Sequence, residues 1–116
     1  MSLSEFIIND LTPSSTETLV GELHDIFKGL TYSHIPVLKK GTYLGCLSET
    51  DVFCFESKDK VNDVKYAIET FYVRNSTLWL NILKAFAEND SNIMPVLDKE
   101  NNYLGYYRLN DIISMF

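Results

Sequence analysis

The chain contains the stretch HIPVLKKGTYLGCLSETD at residues 34–51 and repeats it as IMPVLDKENNYLGYYRLND at residues 93–111. The two prolines lie 59 positions apart and the two closing aspartates lie 60 apart, so the second turn holds one additional residue. Self-similarity at a fixed period indicates a unit that is built twice. Each copy is too small to bury a good core alone. We therefore expect two units packed face to face, with pseudo-twofold symmetry and paired clefts at the seam.

The first copy carries the pattern of a small sheet with helices. Phe6–Ile8 predicts a short leading strand, and the capping-box pattern of Ser14–Glu17 predicts a helix start. Apolar side chains then recur at helical spacing as far as Leu30. His34–Leu38 and Tyr43–Leu47 flank a glycine-containing turn and predict a β-hairpin. The predicted order is strand, helix, strand, strand, and a further helix follows.

That further helix spans Ser48–Phe55, and a polar connector, Glu56–Asp63, leads to the second copy. The second copy repeats the order, and its predicted elements are a helical stretch at Val64–Ile68, the strand Phe71–Val73, a helix capped by Asn75 or Ser76, the hairpin of Ile93–Leu97 and Tyr103–Tyr107, and a last helix at Asn110–Phe116. The predicted fold class is α+β. One module covers residues 1–116, and two β-α-β-β-α motifs at 6–56 and 64–116 pack through their small sheets.

The composition is that of an acidic chain with enough apolar surface for a core. Hydrophobic residues make up 46% of it, the formal net charge is −6 and the pI is about 4.7. This balance disfavours nucleic acid and anionic membranes as partners, because both are bound through clustered Lys and Arg. No apolar run approaches the roughly 18 residues of a membrane span. Cys46 and Cys54 lack the CxxC spacing of a zinc site and suggest no disulfide framework, so we expect a cytoplasmic protein.

The repeated order of Thr-Leu, helix, apolar-Pro-Val-Leu, turn, Tyr-Leu-Gly and an aspartate at the head of a helix resembles the CBS motif, here in the tandem pair known as a Bateman module. In that family the pattern Gly, two apolar residues, Ser or Thr, two residues, Asp binds ribose. Gly45–Asp51 matches this pattern, whereas Gly105–Asp111 keeps the Asp but has Arg108 in place of Ser or Thr. The resemblance implies a regulatory module that senses AMP, ADP, ATP or S-adenosylmethionine and requires no cofactor.

The resemblance also implies which residues would contact a ligand in two clefts. The first cleft would form around Ser48 and Asp51, and the residues that complete it are Val73, Asn92, Ile93 and Met94. The second would form around Asp111 and Arg108, and the residues that complete it are Thr12, Ser33, His34 and Ile35. An ionised carboxylate can accept both ribose hydroxyls, and a helix N-terminus favours a phosphate.

Purely structural roles remain open for the same residues. Ser-x-x-Asp at a helix start is itself a capping box, so capping alone explains Ser48 and Asp51. Asp111 could be a helix-start charge favoured by the helix dipole. Arg108 could contact a phosphate, fill the cleft with its bulk, or pair with Glu49 or another acid.

Three classes of function follow from these alternatives. A sensor would bind an adenosine-containing small molecule and control an effector protein or domain that the sequence does not identify. The acidic charge favours AMP or S-adenosylmethionine before ATP in that role. A ligand-free module with closed clefts would only dimerise or dock, and a homodimer is expected in either case. An enzyme is not expected, because the chain has no Ser/His/Asp order, no metal-ligand spacing and no glycine-rich phosphate loop.

Overall fold

The computed structural model describes residues 3–115, which form two compact units. The central unit comprises residues 13–70, and the terminal unit joins the residues up to 12 to those from 71 onward. Each unit contains one three-stranded sheet together with helices, so the predicted α+β class is confirmed.

The central unit has the order strand, helix, strand, strand, helix, but its first strand is Ser14–Ser15 and not the predicted Phe6–Ile8. Its elements are β1 (Ser14–Ser15), α1 (Val20–Lys28), β2 (His34–Lys39), β3 (Thr42–Ser48), α2 (Glu49–Val52) and a 3-10 helix (Val61–Ala67). Strand β1 runs parallel to β2, and β3 runs antiparallel to β2 with a register shift after Val37. The hairpin predicted from the repeated stretch is therefore present.

The core of the central unit joins α1, the hairpin, α2 and the connector. Val20, Leu23 and Phe27 recur at helical spacing on α1 and are buried. The other buried members of this cluster are Ile35, Val37, Leu47, Val52, Val61 and Val64. Alternate residues of β2 thus contribute to the core, as the two-residue period of a strand requires.

The predicted helix start at Ser14 is wrong, because Ser14 belongs to β1. Its hydroxyl donates to the carbonyl of Pro36 at 3.0 Å, and its backbone pairs with Val37. Helix α1 begins only at Val20, and Leu19 at the N-cap makes no side-chain hydrogen bond. The serine hydroxyl of the capping-box pattern is used by the neighbouring strand and is not available to the helix.

The connector closes the N-terminus of α1 in place of a side-chain cap. The amides of Val20 and Gly21 donate to the carbonyls of Asp59 and Ser57 at 2.8 and 3.0 Å. A Cβ at Gly21 would lie 3.1 Å from the Cβ of Ser57, so the close approach favours glycine. These bonds satisfy two of the amides that a helix start leaves without an intrahelical partner.

The terminal unit repeats the architecture. Its elements are a 3-10 turn (Ser4–Phe6), β4 (Val73–Arg74), α3 (Trp79–Glu88), β5 (Ile93–Leu97), β6 (Tyr103–Arg108) and α4 (Leu109–Ile113). Strand β4 is parallel to β5, and β6 is antiparallel to it. The predicted caps Asn75 and Ser76 are wrong, because Leu78 occupies the N-cap of α3. The predicted end of the last helix at Phe116 lies outside the described residues.

Each unit also holds a short segment that precedes the leading strand of a repeat. Ile8 and Tyr106 exchange two backbone hydrogen bonds of 2.9 Å in the terminal unit. Glu69 and Cys46 exchange bonds of 2.9 and 2.8 Å in the central unit. The 3-10 turn reduces the predicted strand at Phe6–Ile8 to this single bridge. The segment at Ile8 belongs by sequence to the first repeat but lies in the terminal unit, and the segment at Glu69 belongs to the second repeat but lies in the central unit. The compact units therefore differ from motifs 6–56 and 64–116, whose bounds stay a prediction.

Two glycines permit these bridges. Gly45 has a φ of 150°, and a Cβ there would lie 2.6 Å from the carbonyl oxygen of Glu69. Gly105 has a φ of 133°, and a Cβ there would collide with the carbonyl oxygen of Ile8. The glycine of each Tyr-Leu-Gly sequence is therefore required by backbone conformation and by the close approach of a second chain segment.

Candidate functional site

Ser48 joins the sheet of the central unit to its second helix. It is the last residue of β3 and the N-cap of α2, and its Oγ accepts from the amide of Asp51 at 3.1 Å. The next amide, that of Glu49, donates to the carbonyl of Ser33 at 2.8 Å. The predicted capping role of Ser48 is therefore confirmed, and it fixes the direction in which the chain presents Asp51.

The Asp51 carboxylate is the part of this helix start that the fold leaves unused. Its backbone amide is bonded to Ser48, and its side chain is half-buried. Among residues 3–115, no hydrogen bond or ion pair to the Asp51 carboxylate is present. A carboxylate that is partly withdrawn from water and makes no bond within the fold retains all its capacity to accept hydroxyl donors.

His34 lies beside Ser48, because the two residues are register partners in β2 and β3. The ring is buried, with Nδ1 2.7 Å from Oγ of Ser33 and Nε2 3.4 Å from a carboxylate oxygen of Glu69. Ile35, the next residue, is buried in the core. The structure thus groups Ser33 and His34 with Ser48 in the central unit. Glu69 was missed by the sequence reasoning, and no local pattern pairs it with a histidine so distant in the chain.

The terminal unit builds the corresponding helix start with a different side chain. Arg108 is the N-cap of α4 and makes no side-chain cap bond. Its Nε donates to Oδ2 of Asp111 at 2.7 Å. The amide of Leu109 donates to the carbonyl of Asn92 at 3.0 Å, which matches the bond from Glu49 to Ser33. The backbone is the same in both units, but the second carboxylate is engaged by an arginine.

Comparisons with known proteins show which fold contains this repeated helix start. The family model described as CBS domain matches residues 4–57. The structure matches that of a CBS domain pair/ACT domain protein from Thermotoga maritima, with a TM-score of 0.83 at 20% identity over 99% of this chain and 95% of that chain. The chain has the fold of a CBS domain pair. A comparison with the sequences of curated proteins gave no match.

Two further solved structures with this CBS fold contain a nucleotide. CBSX2 in complex with AMP matches with a TM-score of 0.79 at 17% identity, over 98% of this chain and 94% of that chain. The CBS domain of the bacterial CNNM/CorC family Mg²⁺ transporter in complex with ATP matches with a TM-score of 0.73 at 16% identity, over 97% and 84%. At these identities the likeness shows the shared fold.

Five other residues that the resemblance assigns to a ligand lie in the terminal unit. Val73 pairs with Val96 in the sheet and is buried. Ile93 and Met94 are buried in β5, and Asn92 immediately precedes that strand and is half-buried. Thr12 is exposed. The assignment of these five residues to a ligand stays a prediction.

Two buried groups of the module are held in their neutral forms. Burial raises the pKa of the Cys46 thiol to about 12, and the Tyr43 hydroxyl lies 3.5 Å from its Sγ. Burial also raises the pKa of Tyr107. A thiol that stays protonated at neutral pH is a poor nucleophile and a poor metal ligand, so Cys46 is a packing residue.

Within residues 3–115, no three His, Cys, Asp or Glu side chains are grouped so that they could hold a metal ion. None of the helices in this range has the length and apolarity that a membrane crossing requires.

Proposed function

We propose that this CBS module is a regulatory domain that binds an adenosine-containing nucleotide through the Asp51 carboxylate, with Ser48 holding the helix start in place. The observation that carries the proposal is the unused Asp51 carboxylate at a helix start fixed by its own cap. A vicinal diol such as that of ribose offers two hydroxyl donors, and a carboxylate has two oxygens that accept them together. The charge of the carboxylate strengthens both bonds.

The resemblance assigns Ser33 and His34 to the cleft of Asp111. Both lie beside Ser48, where the buried imidazole is held on both of its nitrogens. Their assignment to a ligand stays a prediction. The AMP and ATP found in solved structures of the same fold also support the proposed ligand class.

The negative charge of the chain favours some adenosine-containing ligands over others. The formal net charge is −6, and repulsion by the summed field grows with the number of phosphates. We expect AMP or S-adenosylmethionine to bind better than ATP for this reason. Regulation would then follow from different ligand affinities of two conformations of the module, because a ligand shifts an equilibrium only by its differential affinity. The effector would be a partner protein or domain.

A thermal-shift screen of the pure chain against AMP, ADP, ATP, S-adenosylmethionine, NAD and GTP tests the proposal. A ligand at one hundred times its Kd should stabilise the folded state by about 2.7 kcal/mol. We expect such a gain with an adenosine ligand and expect it to disappear in Asp51→Ala. Asp111→Ala deletes the matching carboxylate of the terminal unit and should retain the gain. Unchanged stability with every nucleotide would contradict the proposal.

A second candidate function is docking of a protein partner, including a second copy of the chain. Leu78 and Leu80 at the start of α3 are 73% and 70% exposed, and Ile113 on the adjacent α4 is 53% exposed. Large apolar side chains exposed together are typical of an interaction surface. A concentration-dependent mass in analytical ultracentrifugation that Leu80→Glu abolishes would support this function. A monomer at all concentrations would count against the homodimer.

A further inference from the structure

The two helix starts of the module differ at the residue before the helix, and we infer that Arg108 lowers the ligand affinity of the terminal unit by holding the Asp111 carboxylate. This inference rests on the proposed function, in which a carboxylate at this position binds the ligand diol. It assigns Arg108 a role that acts through Asp111, and it predicts that the two halves of the repeat bind unequally.

The contact between Arg108 and Asp111 is short and partly withdrawn from water. Nε of the guanidinium donates to Oδ2 of the carboxylate at 2.7 Å, and the two side chains are 42% and 29% exposed. A charge-assisted hydrogen bond of this length is stronger than a neutral one. An incoming diol needs both oxygens of the carboxylate, so it must compete with the guanidinium for Oδ2.

Ser48 and Asp51 show the arrangement without this competition. The serine hydroxyl accepts the amide of Asp51 at 3.1 Å and makes no demand on the carboxylate. A serine side chain is also too short and too weakly polar to neutralise a carboxylate. At this position the first repeat therefore has a hydroxyl that only orients the helix start. The second repeat has a cation that is hydrogen-bonded to the Asp111 carboxylate.

The magnitude of the competition follows from the strength of such bonds. Breaking a hydrogen bond to a charged group changes an equilibrium constant by on the order of tenfold or more. Exposure of the pair to solvent reduces this effect toward the lower end of the range. We expect removal of the guanidinium to tighten binding at Asp111 by about tenfold.

Isothermal titration with AMP, on full-length chains that carry Asp51→Ala, isolates the terminal unit. We expect Arg108→Ser to tighten AMP binding by about tenfold in this background and Arg108→Ala, which adds no hydroxyl, to tighten it as well. Arg108→Lys keeps a cation near Asp111 and should leave the binding weak. Adding Asp111→Ala to Arg108→Ser should remove the gain. Circular dichroism verifies that each variant is folded.

Lys84→Ser in the same background is the matched control, since it makes the same change in net charge on the exposed face of α3. A gain of similar size in Lys84→Ser, or no gain in both Arg108→Ser and Arg108→Ala, would overturn the inference. The proposed function fails separately, if Asp51→Ala alone binds AMP as tightly as the wild-type chain. In that case the Arg108 variants still show whether the pair restricts binding at Asp111.

Discussion

At the scale of single residues, the two repeats share one backbone conformation at the helix start but engage its aspartate differently. Ser48 caps its helix, and the Asp51 carboxylate makes no hydrogen bond or ion pair among residues 3–115, whereas Arg108 gives no cap and binds the Asp111 carboxylate. The sequence left open whether Arg108 would contact a phosphate, fill a cleft or pair with an acid, and the structure shows the ion pair. Such a choice depends on side-chain rotamers, which sequence spacing does not determine.

The cap at Ser48 makes a measurable contribution to stability. Ser48→Ala leaves the amide of Asp51 without its side-chain acceptor and should lower the free energy of unfolding by about 1 kcal/mol. Ser76→Ala is the control, because Ser76 precedes a helix whose N-cap is Leu78 and should cost less than about 0.5 kcal/mol. Urea denaturation measures both variants. Equal losses in the two would show that Ser48 does not act as a cap.

The hairpin turn of the terminal unit carries a carboxylate with a shifted pKa. The side chain and the amide of Asn102, together with the amide of Glu100, donate to the Asp98 carboxylate and hold its pKa below 3.8. A lowered pKa in the folded state stabilises the fold above the unfolded-state pKa, and this contribution is lost as the pH falls through the folded-state value.

We therefore expect Asp98→Asn to be less stable than the wild-type chain at pH 7, with the difference shrinking as the pH is lowered below 3.8. Denaturant unfolding at a series of pH values measures it. Asp25→Asn makes an equal change in charge on the exposed side of α1 and is the control. A stability difference that stays constant as the pH is lowered from 7 into the acid range would contradict the stabilising role given to the Asp98 carboxylate.

At the scale of secondary-structure elements, local patterns predicted the hairpins well and the helix starts poorly. The hairpins follow from apolar runs around a turn, which are local signals. The start of α1 depends instead on carbonyls of Ser57 and Asp59, which lie far along the chain and cap Gly21 and Val20. The hydroxyl of Ser14, which fitted a capping box, is bonded to a neighbouring strand. In both cases contacts between residues distant in the sequence, and not the local pattern, determine the structure.

The bridge between Glu69 and Cys46 explains one invariant of the two repeats, the glycine after Tyr-Leu. Gly45→Ala places a Cβ 2.6 Å from the Glu69 carbonyl oxygen and should cost roughly 1–3 kcal/mol of unfolding free energy through overpacking. Gly41→Ala also has a positive φ, but no atom lies within 4 Å of its Cβ, so strain alone of about 1 kcal/mol remains. Thermal unfolding compares them. A larger loss at Gly41 would contradict the close-approach argument.

At the scale of the whole molecule, the repeats seen in the sequence and the compact units seen in the structure have different bounds. The central unit needs the connector that caps α1, the buried Val61 and Val64, and the bridge at Glu69. All of these lie after residue 56, where the predicted first motif ends. The repeat was visible from identities alone, but the exchange of short segments was not, because a single bridge leaves no periodic pattern.

Fragments of the chain test this difference in bounds. We expect a fragment of residues 13–70 to be more structured than one of residues 6–56, because only the longer fragment retains the caps of α1 and the Glu69 bridge. Domains of roughly 60 residues bury little surface and are marginal, so partial order is sufficient for the comparison. Amide dispersion in two-dimensional NMR spectra measures it. Greater dispersion in the 6–56 fragment would favour the sequence repeat as the folding unit.

An AMP titration of the wild-type chain and Asp51→Asn by isothermal calorimetry tests directly whether the Asp51 carboxylate binds the nucleotide. The asparagine keeps the size of the side chain and removes the charge, so the Kd should rise by roughly tenfold to a hundredfold. Asp111→Asn, whose partner Arg108 already engages the carboxylate, should change the Kd less than threefold, a difference below about 0.7 kcal/mol. A Kd unchanged in Asp51→Asn would contradict the assignment of Asp51 as the carboxylate that binds the nucleotide.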